Sequence, residues 1–191
     1  MVSSVNAYLI FLGLIAIERS IELAVSHRNA RIAFSRGGRE YGGAHFRLMA
    51  AFHSTFLASC VAEVTLLHRS FPGLLGAVAL LGAIASQVLR YWAILTLGKR
   101  WNVRIIVVPG EDPVTAGPYR FIRHPNYLAV AMEMVCVPLV HGCWLTAILF
   151  SIGDAVLLRT RIRAEEQALG KRYAAAFSDL PRFLPRVHRG P

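Results

Sequence analysis

The segment "GPYRFIRHPNYLAV" (Gly117–Val130) stands between two apolar parts of the chain and interrupts any helix twice. Gly117-Pro118 and His124-Pro125 both break a helix, because proline fixes φ and lacks an N–H group. Pro125 also suits the first turn of a new helix, whose N-terminus directs N–H groups and the positive end of the helix dipole towards an anion. The sequence therefore predicts a rigid connector, here called the elbow (residues 117–127), at the entry to an apolar helix.

A purely structural turn would explain the glycine and the prolines of the elbow. It would not explain why aromatic, basic and imidazole side chains crowd beside them at Tyr119, Arg123, His124 and Tyr127. Because such side chains together can hold a polar ligand, the elbow is a candidate ligand site.

The composition of the whole chain indicates a membrane protein. Its 191 residues suit a single domain, 1–191, and they are 55% hydrophobic and only 17% charged, with a net charge of +10. Soluble domains carry about 25% charged residues. Nucleic-acid-binding proteins display their bases on a polar surface, which this chain lacks, so nucleic acid is excluded as a partner.

The hydropathy pattern predicts an all-α fold, a polytopic membrane bundle of about five transmembrane helices. Each apolar segment approaches the roughly 20 residues that cross a bilayer, and the fourth and fifth are shorter. The predicted spans are Val5–Val25, Phe46–Leu67, Pro72–Leu97, Tyr127–Val140 and Cys143–Leu158.

The distribution of basic residues supports this layout and predicts the orientation. Segments 26–47, 98–126 and 159–191 carry five, five and eight Lys or Arg residues, and alternation of five spans puts all three on one side. Basic loops stay in the cytoplasm, so the N-terminus is expected outside and the C-terminus inside. The first span lacks the basic flank and cleavage site of a signal peptide and is expected to be retained.

The three cysteines, Cys60, Cys136 and Cys143, are odd in number and lack CxxC spacing. They predict neither a disulfide framework nor a zinc site, and no metal is expected. Free thiols packed among helices are the simplest interpretation.

Beyond the fifth span, residues 159–177 have the mixed charge and spacing of a helix, and the proline-rich residues 178–191 predict an extended or frayed tail. Adjacent Glu165 and Glu166 lie about 100° apart on a helix, so one is expected to face inward and the other solvent. Arg161 and Glu165, four residues apart, can pair on the surface, which is the structural alternative to a functional role.

Several ionisable or polar side chains lie inside the predicted spans. Placing such a group within the membrane costs free energy, so each of them is by default a candidate functional residue. Interhelical pairing, for example of Glu22 with Arg90, is the structural alternative. Glu63 is expected near the outer face and receives no functional role. The residues are Glu18, Arg19, Glu22, His53, Glu63, Gln87, Arg90 and Asp154.

The elbow, followed after a helical hairpin by RxxxEExxL (Arg161, Glu165, Glu166, Leu169), resembles the isoprenylcysteine carboxyl methyltransferase family of membrane methyltransferases. The resemblance covers about residues 97–177 and implies that residues 98–177 form a half that binds S-adenosylmethionine, capped by a cytoplasmic C-terminal helix. The implied cofactor-binding residues are Gly117, Tyr119, Arg123, His124, Pro125, Tyr127, Glu165 and Glu166.

In the family's arrangement, His124 and the backbone around it contact the methionine part, and Tyr119 and Tyr127 line the pocket. Glu165 or Glu166 receives the ammonium group, with Arg123 supporting the shape of the pocket. One departure is that "LGKRYAAAF" follows the acidic pair directly, where family members often have a longer spacer and an FGxxYxxY pattern.

The N-terminal half (1–97) contains three predicted spans and the glycine-rich loop "RGGREYG" (residues 36–42). This half is similar to a bacterial branch of the family that O-methylates alkylpyrones or alkylresorcinols made by type III polyketide synthases. The resemblance implies a lipidic acceptor, the bacterial inner membrane and no obligate protein partner. The loop itself predicts either an interfacial segment that reaches lipid headgroups or a plain cytoplasmic connection.

Methylation of a hydroxyl requires loss of its proton, so a nearby base would help. The candidate bases are Glu22, His45 and His53, and Arg90 or Arg104 could hold the oxyanion. A carboxylate acceptor would need no base. The alternatives are methylation of prenylcysteine, an NADPH-dependent sterol-type reductase with a similar GPYxxxRHPxY segment, and a non-catalytic lipid-binding protein.

Overall fold

The structure, a computed structural model, describes residues 3–183, apart from the side chain of Ala44. Positions 184–191 of the predicted tail lie outside the described residues. The helices are α1 (Ser4–Ser35), α2 (Gly43–Leu66), α3 (Leu74–Leu97), α4 (Pro125–Leu139) and α5 (Trp144–Ala176), and the strands are β1 (Arg39–Tyr41) and β2 (Ile105–Val107).

Two helical segments, His45–Leu66 and Leu74–Arg100, are long and apolar enough to cross a membrane, and Pro125–Leu139 is a shorter apolar helix. Large aliphatic side chains also point outward along α1, where Ile10, Leu14 and Ile21 are about 60% exposed. A mostly helical chain with such an outward apolar face is consistent with a membrane protein. The count of five crossings and the orientation of the termini stay predictions.

Small residues on α3 allow α3 and α4 to pack closely. Ala79, Ala83 and Ala93 are almost fully buried. A side chain at Gly82 would collide with the Cys136 sulfur, because a Cβ built there lies 2.6 Å from it. Close approach at small residues is the usual basis of helix association in membranes. It fixes the position of α4, and therefore of the elbow at its N-terminus.

The all-α prediction missed one short antiparallel sheet. Strand β1 comes from the glycine-rich loop and pairs with β2, with Arg39 opposite Val107 and Tyr41 opposite Ile105. All three residues of β1 are exposed, so its sequence has no alternating pattern that could have revealed it. The sheet joins the "RGGREYG" loop to the connection between α3 and the elbow.

The fifth predicted span (Cys143–Leu158) and the first part of the charged helix predicted after it (159–177) lie on one uninterrupted helical stretch, which extends to Gly170. Helix α5 runs from Trp144 to Ala176, and its interruption lies later, at Gly170, where φ is +71°. No proline separates the apolar part from the charged part, so the backbone hydrogen bonds continue across the change in polarity. As a result, α5 carries Glu165 and Glu166 rigidly.

Glu63, which received no role from the sequence, holds the beginning of α5. Its carboxylate accepts hydrogen bonds from the N–H groups of Leu145 and Thr146 (3.2 and 2.7 Å) and from the Thr146 hydroxyl (2.8 Å). Arg69 donates to the same carboxylate at 3.0 Å. A carboxylate at a helix N-terminus satisfies free N–H groups and complements the helix dipole.

We expect Glu63→Gln to lower the free energy of unfolding by about 1–2 kcal/mol, the usual size of a lost helix cap. Turnover of the folded protein should change little, because Thr146 and Glu166 are 20 residues apart, about 30 Å along a helix. Thermal unfolding in detergent and the turnover rate would be measured, with Thr65→Ala as control, since that hydroxyl bonds carbonyls of its own helix. A large loss of turnover at wild-type folded amounts would contradict this assignment.

Candidate functional site

The elbow begins with a 3-10 turn, Gly117–Arg120, and ends where Pro125 opens α4. Gly117 has φ of +56°, in the left-handed region that favours glycine, and its Cα lies against the Thr96 side chain at the end of α3. Pro118 and Pro125 are almost fully buried. Gly117 therefore positions the elbow on α3.

Gly117→Ala should destabilise the elbow, because the left-handed conformation costs about 1–2 kcal/mol for a non-glycine residue and the new methyl group would meet Thr96. We expect lower thermal stability, with partial recovery when Thr96→Ala removes the contact. Gly13→Ala is the matched control, since nothing lies within 4 Å of that position. Equal stability of the Gly117 and Gly13 variants would be incompatible with this packing.

The end of the elbow meets the acidic pair of α5. The His124 Nε2 lies 3.1 Å from a Glu166 carboxylate oxygen, and the Tyr127 hydroxyl donates to Glu165 at 2.5 Å. The His124 and Tyr127 rings stack with centroids 5.3 Å apart. His124 is 5% and Tyr127 8% exposed. Two segments separated by about 40 residues thus form one polar, aromatic cluster.

Both glutamates contact this cluster, so the prediction that one of them faces solvent is wrong. The side chains of Glu165 and Glu166 are 29% and 19% exposed. The 100° between adjacent helix positions still holds, but the elbow curves around α5. It presents Tyr127 to one glutamate and His124 to the other.

The predicted surface pair between Arg161 and Glu165 is also corrected. Arg161 is only 5% exposed, and its Nε donates to the Tyr127 hydroxyl at 2.9 Å while its other donor reaches the Val103 carbonyl. The Tyr127 hydroxyl therefore stands between Arg161 and Glu165. A phenol that accepts from a guanidinium and donates to a carboxylate is held in one orientation.

Arg123, which the resemblance implied supports the shape of the pocket, fastens the tail to the elbow. Its guanidinium donates to the carbonyls of Leu180 (2.6 Å) and Ser178 (3.3 Å). The backbone N–H groups of Arg123 and His124 donate to the carbonyls of Pro181 and Arg182. Residues 178–183 are therefore bound to the elbow without regular secondary structure, which agrees with the extended alternative and not with the frayed one.

This bound tail places Arg182 on Glu166. The Arg182 guanidinium donates twice to the Glu166 carboxylate, at 3.0 and 2.6 Å. Burial by itself would raise the pKa of that carboxyl, but the hydrogen bonds from Arg182 and His124 hold the pKa below its ordinary value. These contacts therefore stabilise the fold above the ordinary carboxyl pKa, and the stabilisation is lost as the pH falls through the lowered one. Glu166 is charged at neutral pH.

Tyr119 and Tyr173 line the neighbouring apolar part of the site. They form a cluster with Phe177 at the end of α5, and the Tyr173 hydroxyl donates to the Arg123 carbonyl at 3.4 Å. Burial raises the pKa of both phenols, so they are neutral at physiological pH. The cluster offers aromatic faces without adding charge.

Sequence reasoning missed Tyr173 and Arg182 at this site, and Asn126, which lies between Pro125 and Tyr127 in the first turn of α4. The Asn126 Oδ1 is buried and has no hydrogen-bond partner within residues 3–183. Because an unsatisfied buried oxygen is costly, it is suited to a ligand that brings a donor. Two carboxylates, this amide oxygen and aromatic rings fit the ammonium and sulfonium of S-adenosylmethionine, and the N-terminus of α4 suits its carboxylate. In the sequence, the signal that could have pointed to Arg182 is its place in the repeated Leu-Pro pattern of the tail.

Glu22 and Arg90, two candidate catalytic residues, lie in a buried network between α1, α3 and α4. Arg90 donates to Glu133 and lies 3.7 Å from Glu22, and Arg19 contacts Glu22 at 2.6 Å and Glu133 at 3.0 Å. The predicted pairing of Glu22 with Arg90 is therefore present. A catalytic role for either residue stays a prediction.

The remaining candidates lie on or near α2. The His53 Nδ1 lies 2.8 Å from the Met49 carbonyl of its own helix. Arg104 pairs with Glu40 at 3.3 Å and stacks on Phe46 at 5.2 Å, while His45 follows the sheet in the first turn of α2. Arg104 adjoins Val103, whose carbonyl accepts from Arg161. The chain therefore connects the sheet to the cluster around Tyr127.

Comparison with known proteins supports the assignment that the motifs suggested. The model of the isoprenylcysteine carboxyl methyltransferase family matches residues 77–171, which include the elbow and the acidic pair. The chain is 38% identical over 161 residues to the uncharacterized protein YpbQ of Bacillus subtilis (strain 168), covering 84% of this chain and 95% of that protein. It is 26% identical over 154 residues to an uncharacterized protein of Haemophilus influenzae, covering 79% and 88%.

Neither relative's name states an activity, so the family assignment rests on the matched model and on the extent of the similarity to YpbQ. The two segments that meet in space, the elbow and the EE pair, are also the two motifs that suggested this family from the sequence. The chain belongs to the isoprenylcysteine carboxyl methyltransferase family, which indicates that it is a membrane methyltransferase.

Proposed function

We propose that the protein is an S-adenosylmethionine-dependent O-methyltransferase that acts on a lipid in the membrane, and that the acceptor is the hydroxyl of an alkylpyrone or alkylresorcinol. The observation that carries this proposal is the contact of His124 and Tyr127 with Glu166 and Glu165. This contact brings anionic, aromatic and N–H groups together beside α5.

The roles of the residues follow from their chemistry. Glu165 and Glu166 would receive the ammonium group of the cofactor, and the Asn126 oxygen would accept a further hydrogen bond from it. The stacked rings of His124 and Tyr127 present π faces, which attract a cation such as a sulfonium. Tyr119 and Tyr173 would exclude water from the same pocket.

S-adenosylmethionine, held by Glu165, Glu166 and Asn126, would supply an electrophilic methyl group for transfer to the acceptor oxygen. The hydroxyl proton would pass to a base of this chain or to water. The protein contributes mainly by positioning. Glu22, His45 and His53 are the proposed bases, and Arg90 and Arg104 are the proposed partners of the oxyanion.

We place the protein in the bacterial inner membrane with its C-terminus in the cytoplasm. The basic residues of segments 26–47, 98–126 and 159–191 support this orientation. It puts the acidic pair on the side where the cofactor is made and leaves the acceptor's tail in the bilayer.

The test is titration of S-adenosylmethionine and of NADPH against detergent-solubilised protein. Methyl transfer from labelled cofactor would then be followed over alkylpyrones, alkylresorcinols, prenylcysteines and phospholipids. We expect binding of S-adenosylmethionine and transfer to the first two classes. Binding of NADPH alone would overturn the proposal, and transfer confined to prenylcysteines would overturn the assigned acceptor.

A further inference from the structure

A groove of about 360 Å³ lies between α4 and α5, and Arg182 and Phe183 of the bound tail contribute to its lining. Its volume is in the range of sites that hold small organic ligands. It lies outside the cluster of His124, Tyr127 and the glutamates. Its lining residues are Ala131, Val135, Ser151, Asp154, Ala155, Leu158, Arg159, Ile162, Arg182 and Phe183.

The groove leads to the candidate cofactor site. Asp154, Leu158, Ile162 and Glu165 recur at intervals of three or four residues, so they form one stripe along α5. Leu158 and Ile162 belong to both features, since they line the groove and pack against Tyr127. A ligand in the groove would therefore lie beside the wall of the cofactor site.

Two polar side chains one turn apart in the groove each have a buried oxygen without a hydrogen-bond partner among residues 3–183. Asp154 is 1% exposed, and neither its Oδ1 nor the Ser151 hydroxyl has a hydrogen-bond partner in the described part of the chain. A buried carboxylate oxygen without a donor is costly. The deep part of the groove is therefore suited to a ligand that brings a hydroxyl donor.

The lining of the groove also contains two basic residues. Arg159 and Arg182 line it, and Arg182 also donates to Glu166. Positions 154 and 159 are separated by a rise of about 7.5 Å along α5. A single small head group could therefore contact the carboxylate on one side and a guanidinium on the other. Leu158, Ala155 and Ala131 provide the apolar surface between and beside them.

We propose that this groove binds the oxygenated head of a single-chain lipid, with Asp154 accepting a hydrogen bond from one hydroxyl and Arg159 or Arg182 donating to a second oxygen. The inference rests on the proposed function, because it takes this lipid to be the methyl acceptor. Asp154 and Arg182 are then specificity-determining residues. They select a head with a hydroxyl donor and a separate oxygen acceptor, and the apolar lining receives the chain.

Binding of 5-pentadecylresorcinol and of its di-O-methyl ether would be measured on purified protein in lipid nanodiscs without cofactor. The ether keeps both oxygens as acceptors, but methyl groups replace the two hydroxyl hydrogens, so it brings no donor. We expect wild-type protein to prefer the resorcinol by about tenfold, the value of one well-placed hydrogen bond to a charged group. Asp154→Leu should abolish the preference and Asp154→Asn should retain part of it.

Ile152→Ala is the matched control, because Ile152 lies on the same helix turn, is 63% exposed and does not line the groove. Asp154→Asn is the second variant, in case Asp154→Leu does not fold, and Arg182→Gln should weaken both probes without changing their ratio. An unchanged preference in folded Asp154→Leu, or in folded Asp154→Asn, would overturn the proposal.

Failure of the proposed function has a different signature. If S-adenosylmethionine does not bind but the Asp154-dependent preference is present, the groove stands as a lipid site and the methyltransferase proposal fails. If the cofactor binds and wild-type protein shows no preference between the two probes, the groove inference fails alone.

Discussion

Replacing both acidic residues, in Glu165→Gln/Glu166→Gln, is expected to weaken binding of S-adenosylmethionine by at least about a hundredfold. A hydrogen bond to a charged group contributes about 1.5–3 kcal/mol, and two carboxylates contribute to one ammonium site. The single variants and His124→Ala should each lose about tenfold or more. Isothermal titration of detergent-solubilised protein would measure the affinities, and thermal unfolding would show that the fold is kept.

Two further variants separate cofactor binding from the tail contact. Asp112→Asn removes one negative charge from an exposed loop and should leave the affinity unchanged; the Asp112 side chain is 85% exposed. Arg182→Gln removes a partner of Glu166 but leaves the Glu166 carboxylate in place. It should therefore weaken cofactor binding less than Glu166→Gln does. Wild-type affinity in the double glutamate variant would remove the basis of the proposed function.

The largest loss of stability is expected for Glu133→Leu. Glu133 is 5% exposed and pairs with Arg90 and with Arg19. Its removal leaves the almost fully buried Arg90 with Glu22 as its remaining carboxylate, at 3.7 Å. Breaking a buried ion pair on one side costs about 3–5 kcal/mol, because it leaves an uncompensated charge. We expect a much smaller folded fraction in thermal and denaturant unfolding.

The double variant Arg90→Met/Glu133→Leu provides the internal control. If the network is mainly structural, removing both partners should cost less than removing Glu133 alone, since no unpaired charge remains at that contact. Additive losses would show that the two side chains do not act as a pair. A double variant that is stable and folded but has no turnover would instead favour the catalytic role proposed for Arg90.

Much of the helical layout could be predicted from hydropathy. The predicted spans Phe46–Leu67 and Pro72–Leu97 agree with α2 and α3 to within three residues at either end, and the end of α3 at Leu97 is the predicted one. The helix start at Pro125 also followed from local chemistry. The β1–β2 sheet could not be predicted, because three exposed residues carry no periodic signal and their partner lies more than 60 residues away.

The side-chain partners were predicted less well than the motifs. Arg161 has another partner than the sequence suggested, and no partner of Arg123 or of the tail was predicted. Helix spacing places Arg161 near Glu165, but only the path of the elbow decides that Tyr127 comes between them. The tail was predicted to be extended or frayed because prolines prevent regular structure. They do not prevent its carbonyls from accepting hydrogen bonds from Arg123 and His124.

The sequence by itself determined the membrane class, the rigid break before α4 and the residue types of the site, because composition and proline geometry act locally. The tertiary structure decided which of these groups meet: both glutamates with the elbow, Arg182 with Glu166, and Asp154 with the groove between α4 and α5. Such contacts depend on how the backbone brings distant segments together, and spacing along one helix contains no information about the chain that packs against it.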